Sequence, residues 1–249
     1  MTDSRLEFWD QRAWMGPTAG TQDRTLKELE MRAIIGHIGT GRRILDAGCG
    51  TGETARAIVQ ALPDAQVCGF DYSAANIEHA QEHRDWRLTF RVGELALPPY
   101  PDESFDVVLT ERALINMDNA EQQAIAIRAL VRLTKPGGKL ILCESFLDGL
   151  DEINAFREPA GLEPIKAPWH NTYFGSVASL IRMVPEDADL ETRDPFSGTY
   201  YFLSRVINAW AALPAEPDYD APINRLALDL PAMNHCAQTK IVVLRKLHP

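Results

Sequence analysis

Residues 42–62, RRILDAGCGTGETARAIVQAL, set three glycines between a short apolar run and an amphipathic one. RRILDAG has the length and apolar content of a buried strand, and ETARAIVQAL has the spacing of a helix. Glycines after a strand let main-chain N–H groups approach a ligand, and ligands of open α/β sheets bind at the carboxyl ends of the strands. Gly48, Gly50 and Gly52 therefore mark a ligand loop with acids at Asp46 and Glu53 on either side. A tight strand-to-helix turn without a ligand is the plain alternative.

Working outward, short apolar runs alternate with amphipathic helices: AQVCGFD, SAANIEHAQEHR, LTFRVGE, FDVVLTE, EQQAIAIRALVRLT and GKLILCE. Such alternation means right-handed crossovers and a parallel sheet covered on both faces, a doubly wound α/β core. Two helices precede it. The first is suggested by Leu6, Phe8, Trp9, Ala13 and Trp14; the second is DRTLKELEMRAIIGHI, where Thr25 and Glu28 fit a capping box. After Ser145 the rhythm breaks into a Pro-, Trp- and Asn-rich section, followed by DLETRDPF, a helical SGTYYFLSRVINAW, a Pro-rich loop and a last strand TKIVVLRK. One domain, 1–249, is expected, with 1–41 as a helical lid and 146–185 as an insertion for acceptor recognition.

The 249 residues carry 35 acidic against 25 basic side chains, a formal charge of −10, without basic clusters. That composition argues against nucleic acid and anionic membranes as partners. No run approaches membrane-spanning length, and MTDSRLEFWDQRAW lacks the apolar stretch of a secretory signal. Cys49, Cys68, Cys143 and Cys236 are far apart without metal-ligand spacing and read as reduced thiols of a cytoplasmic protein. No Asp, Asn and His cluster has a ligand pattern, so no metal is expected.

Charge narrows the ligand of the glycine loop. In the dinucleotide pattern the third glycine falls on Glu53, at the helix N-terminus where a pyrophosphate would sit, and no Gly-Lys-Ser/Thr follows for a P-loop. A ligand with a positive centre and no phosphate, such as S-adenosylmethionine (SAM), suits it better, and a nicotinamide oxidoreductase is disfavoured.

Residues 42–145 resemble, in order, the class I Rossmann-like SAM-dependent methyltransferases, which implies a mostly parallel seven-stranded sheet with helices on both faces. ILDAGCGTG resembles the family's first motif, placing Asp46, Gly48, Cys49, Gly50 and Gly52 against the methionine portion. Asp71 in GFDYS matches the acid that accepts from both ribose hydroxyls, and Tyr72 flanks the adenine. Glu94 and Leu95 in VGELALPP stand where the family has an acid for the adenine amino group, and Thr110 ends strand four on the cofactor side. Taken singly, Asp71 and Glu94 would also suit solvated strand ends. S-Adenosylhomocysteine (SAH) would be the product.

Methyl transfer needs an aligned acceptor and, for an oxygen acceptor, a base. Arg112 and Asn116 in TERALINM fall at the cofactor–acceptor edge, though helix-start pairing would explain them equally. In the insertion, Asn154 and Arg157 share a helical face, Trp169 offers a flat surface for a sugar ring, and Asn171 and Tyr173 add donors and acceptors. His170 is the candidate base near neutral pH, with Glu144 as its rival if burial raises its pKa. Trp9, Arg12 and Trp14 either close over the cofactor, with Arg12 on its carboxylate, or simply pack the first helix. The wording from Glu144 through Trp-His-Asn-x-Tyr, with WDQRA and TQDRTLKELE, resembles a methyltransferase subgroup acting on surface polysaccharides and sugars. The resemblance thus implies O-methylation of a small or glycan-like acceptor. A natural-product methyltransferase and a non-catalytic SAM-binding protein are the alternatives.

Overall fold

A computed structural model describes residues 3–248. Met1, Thr2 and Pro249, part of the expected single domain, lie outside the described residues. Two helices come first, α1 (Asp3–Ala13) and α2 (Arg24–Ile38). The alternating core follows: β1 (Arg43–Ala47), α3 (Glu53–Ala61), β2 (Gln66–Asp71), α4 (Ala74–Gln81), β3 (Leu88–Val92), β4 (Phe105–Glu111), α5 (Ala120–Leu133) and β5 (Thr134–Ser145). Past it lie α6 (Leu147–Arg157), α7 (Val177–Ile181), β6 (Ala188–Asp194), α8 (Gly198–Phe202), a π-helical turn Leu203–Asn208, α9 (Ala209–Ala212), α10 (Pro222–Arg225) and β7 (Thr239–Lys246).

The seven strands form one sheet in the order β3-β2-β1-β4-β5-β7-β6. β1 to β5 pair in parallel, and β7 joins β5 and β6 antiparallel. Strand order reverses at β1 and β4, and the crevice outside their carboxyl ends is where a ligand of such a sheet sits. Strand side chains alternate between two apolar layers, as a period of two requires. Leu45, Val108, Leu140 and Leu142 face Ile127 and Leu130 of α5, while Ile44, Val107, Leu109 and Ile141 face Ile34, Ile38 and Ile58 of α2 and α3. A third cluster, with Leu26, Ile153, Tyr200, Tyr201 and Val206, joins α2 to the C-terminal helices.

The edge strand β6 is mostly exposed, and its Glu191 pairs with Lys139 (3.2 Å) and Arg245 (2.5 Å), charges that discourage further strand addition. The capping box expected at Thr25 does not form. Asp23 is the cap of α2, accepting from Leu26 N at 3.1 Å, while Glu28 pairs with Arg32 one turn on. Among the described residues no helix is long and apolar enough to cross a membrane.

Candidate active site

A cavity of about 890 Å³ opens at the carboxyl ends of β1, β2 and β4, large enough for a cofactor-sized ligand with room beside it. Its first end is the glycine loop. Gly48 N and Cys49 N donate to Phe70 O at 2.8 and 3.0 Å, tying β1's exit to β2. Gly48 (φ +80°) would bring a Cβ to 2.5 Å from the Ala113 methyl, and at Gly52 (φ +75°) a Cβ would meet the Phe90 ring at 2.8 Å. Glycine is required at both by conformation and by space. Gly50 (φ +53°) has open space there, and its main chain borders the cavity.

Asp71 ends β2 and lines the cavity. Its Oδ2 accepts from Gly50 N (3.0 Å), and Oδ1 accepts from Ser73 N (2.9 Å) and Asn76 Nδ2 (3.4 Å). Burial raises its pKa, and these donors work against that rise. A carboxylate offers about four acceptor sites, so Asp71, with one of its three contacts long, keeps acceptor capacity towards the cavity. Gly48, Gly50, Asp71, Tyr72, Glu94, Leu95 and Trp9 all line the cavity. Cys49 borders a small side recess, and neither Gly52 nor Asp46 reaches the main cavity. Asp46 is buried beneath the loop, its carboxyl pushed up to about 7 by burial and by nearby Glu111. Its Oδ2 has no hydrogen-bond partner.

Glu53 does not stand alone at the helix N-terminus. Arg24 holds it in a bidentate ion pair, with Nη1 3.3 Å from Oε2, so its repulsion of a phosphate is weaker than its sequence position suggests. Beside it Lys27 Nζ donates to both oxygens of Glu111 (2.7 and 2.6 Å) and to Thr54 Oγ1 (2.8 Å).

Glu144 is not placed to act on an acceptor. It is fully buried and does not line the cavity. Its Oε1 accepts from Thr110 Oγ1 (2.7 Å), Ala113 N (3.2 Å) and Leu114 N (3.1 Å), and Oε2 accepts from Ile115 N (3.3 Å). Burial pushes its carboxyl up to about 7, as expected, but the group organises the turn after β4. Thr110 is consumed in the same network and is walled off from the cofactor space.

The acceptor side is closed by α1 and the insertion. His170 lines the cavity, stacked on Phe8 (centroids 4.1 Å) and edge-on to Trp9 (6.0 Å) and Trp169 (5.5 Å). Burial, then the charges of Arg12 and Arg5, lower its pKa. Its Nδ1 is buried without a partner. Asn171 Nδ2 donates to Asn116 Oδ1 (2.9 Å), and Thr172 N donates to Ile115 O (2.6 Å), fastening the insertion to the turn after β4. Arg112, Asn116, Asn171 and Tyr173 line the cavity.

Three residues expected to grip a polyol lie elsewhere. Asn154 pairs in both directions with the Ile165 main chain (2.8 and 2.9 Å), and Arg157 donates to the carbonyls of Glu163 (2.8 Å) and Arg205, so their shared helix face braces the insertion. Trp169 is 66% exposed and outside the cavity. Arg12 donates to Ala19 O (2.8 Å) and lies over Phe8, away from the cofactor space, and Trp14 is exposed. Of Trp9, Arg12 and Trp14 only Trp9 lines the cavity.

Sequence reasoning missed Asp23, Tyr201, Arg205 and Tyr219, which line the far end. An arginine inside the apolar helical stretch SGTYYFLSRVINAW was the available signal. Among the described residues no group of three or more His, Cys, Asp or Glu could hold a metal ion.

These residues fit SAM: glycine backbone open to close approach at Gly48 and Gly50, whose own N–H groups are spent on Phe70 O and Asp71, a spare acceptor on Asp71, and space running on towards His170. Residues 44–138 match the sequence profile of the family described as a methyltransferase domain. The chain is 29% identical over 174 residues to demethylmenaquinone methyltransferase of Streptomyces griseus, covering 70% of this chain and 64% of that protein. It is 33% identical over 163 residues to 27-O-demethylrifamycin SV methyltransferase of Amycolatopsis mediterranei, covering 63% and 53%. The chain thus spans less than two thirds of either relative's length. In fold it matches a chain from the complex between the Haloferax volcanii Trm112 methyltransferase activator and a methyltransferase, with TM-score 0.64, 17% identity, and 96% and 98% of the two chains covered. The profile places residues 44–138 in a methyltransferase-domain family that uses SAM, on a Rossmann-like fold.

Proposed function

We propose that this protein transfers a methyl group from SAM to a hydroxyl of a small, ring-bearing acceptor in the cytoplasm, with His170 as the base. One observation carries the reading: a single cavity joins the glycine loop and Asp71 to His170, Asn116, Asn171 and Tyr173. When bound, SAM supplies a methyl carbon already activated by its sulfonium. The chain's own part is to hold, orient and shield the acceptor. Trp9 and Phe8 keep the His170 ring fixed, and the Asn116–Asn171 pair sets the wall beside it. A neutral imidazole at that wall can take the proton of the hydroxyl as it is methylated.

The support for a ring-bearing acceptor over a glycan is what lines the space. Tyr173, Tyr201, Tyr219, Ile115, Leu150 and Ile165 face it, whereas Asn154, Arg157 and Trp169 do not. The two named relatives act, by name, on demethylmenaquinone and on an O-demethyl rifamycin. The four unpaired cysteines accord with the cytoplasm.

The test is methyl transfer to a panel of hydroxylated aromatics and sugars, read by mass spectrometry, for wild type and His170→Ala. Turnover of the variant at saturating acceptor should fall about 100-fold, with SAH affinity nearly intact. Because only the neutral imidazole accepts a proton, wild-type turnover should rise with pH through a transition below the ordinary histidine range, and the variant should lose that transition. A variant that keeps wild-type turnover removes His170 from the chemistry.

A further inference from the structure

The far wall of the cavity comes from the helical stretch beginning at Gly198, whose middle, Leu203–Asn208, winds as a π-helix. Such turns are rare in helices and occur frequently at functional sites. Arg205 sits in this one. Its Nη2 is 3.0 Å from Asp23 Oδ2, and its guanidinium carbon lies 4.5 Å from the centre of the Tyr219 ring and 5.7 Å from that of Tyr201. Asp23 is shared: Oδ1 caps α2, and Oδ2 also accepts from the Tyr200 hydroxyl. Among the described residues Arg205 Nε and Nη1 donate to nothing, while the side chain lines the cavity. A guanidinium has five N–H donors in a planar fork, so one ion pair leaves most of this one's capacity unspent in a side chain that lines the cavity.

Two further cations line the same cavity, Arg112 where it meets the glycine loop and Lys166 in the insertion. Arg112 is held at φ +51°, an uncommon conformation for a non-glycine residue, with Nε 3.1 Å from Glu30. Burial pushes the Glu30 carboxyl up, which weakens it as a counter-charge. Lys166 is exposed and also lines the cavity. Arg112, Lys166 and Arg205 all line the one cavity with Tyr173. The lining acids, apart from Asp23, are Asp71 and Glu94 at the cofactor end and Glu111, which Lys27 neutralises. With Asp23 set against Arg205 and Glu30 against Arg112, Lys166 leaves these groups one positive charge in excess, in a chain of net charge −10.

We propose that the region is an anion subsite: it takes an anionic oxygen group, such as a carboxylate, carried by the ring-bearing acceptor, with Arg205 gripping it and Tyr201 and Tyr219 beside the ring. This rests on the methyltransferase reading and names the acceptor's class. A fork of N–H donors suits a carboxylate's two oxygens, and aromatic faces around the guanidinium hold it in place.

The probes are hydroxynaphthoate and its uncharged amide, alike in shape and different in charge, titrated calorimetrically into the SAH-loaded protein. The acid should bind at least about tenfold more tightly than the amide, the scale of one charge-assisted contact. Arg205→Gln should bring the two within about twofold of each other while SAH affinity holds. Because that change strands Asp23, the double variant Asp23→Asn with Arg205→Gln removes the pair together, and asparagine still caps α2. Equal binding of the two probes to wild type, binding of neither, or a preference that survives both variants would overturn the subsite. If SAH itself does not bind, the methyltransferase reading fails separately, and the same comparison in the free protein decides the subsite alone.

Discussion

The two ends of this cavity are built by different means. At the glycine end the wall is largely main chain within one short stretch: Gly48 N and Cys49 N reach Phe70 O, and Gly50 N reaches Asp71. At the far end Asp23, Tyr173, Tyr201, Arg205 and Gln238 arrive from separate parts of the chain, joined by pairs such as Gln238 Nε2 donating to Tyr173 Oη (3.2 Å) and Arg205 to Asp23. A site made from main chain depends on which residues lack a side chain. One made from converging side chains depends on the whole fold.

Substitutions at the glycine end should therefore be costly in structure. Gly48→Ala combines left-handed strain, roughly 1–2 kcal/mol, with overpacking against Ala113, roughly 1–3 kcal/mol. A urea melt should show a loss of about 2–5 kcal/mol, and a wild-type midpoint would mean the loop has slack. Asp71→Ala comes next. It removes a buried acceptor that holds Gly50 N and borders the cofactor space, so SAH affinity should fall at least about tenfold by calorimetry. Unchanged affinity in a folded variant would break the placement of the cofactor beside β2.

On the other side of the comparison, Glu144→Gln leaves one oxygen where four donors now converge. Stability should drop by about 1–3 kcal/mol with turnover changed only a few fold. A hundredfold loss of turnover without loss of stability would restore Glu144 as a base. The smallest effect is expected for Trp169→Ala, which should change stability by no more than about 0.5 kcal/mol and acceptor KM by less than about twofold. A tenfold rise in KM would return a stacking surface to the acceptor.

The same contrast explains what could be read from the sequence. β1 to β5 and the glycine loop were legible because apolar runs, helical spacing and glycines are local signals. The seven-stranded sheet followed from alternation together with the family resemblance. Asn154 and Arg157 do share a helix face, but spacing does not say which neighbour that face meets, and it meets the 163–165 main chain and the Arg205 carbonyl. Glu53 looked like an isolated charge because Arg24, its partner, is 29 residues away. Glu144 looked free because its four donors come from Thr110 and the turn after β4. His170 was legible as a candidate because few side chains titrate near neutrality, whereas its aromatic seat on α1 was not.

The central claim is that the glycine loop and Asp71 form a cofactor site for SAM, opening onto a separate acceptor space. Calorimetric titration of the wild-type protein with SAH, and in parallel with NAD, tests it most directly. Saturable binding of SAH at one site, with no binding of NAD, is the predicted result. Binding of NAD without binding of SAH would contradict it.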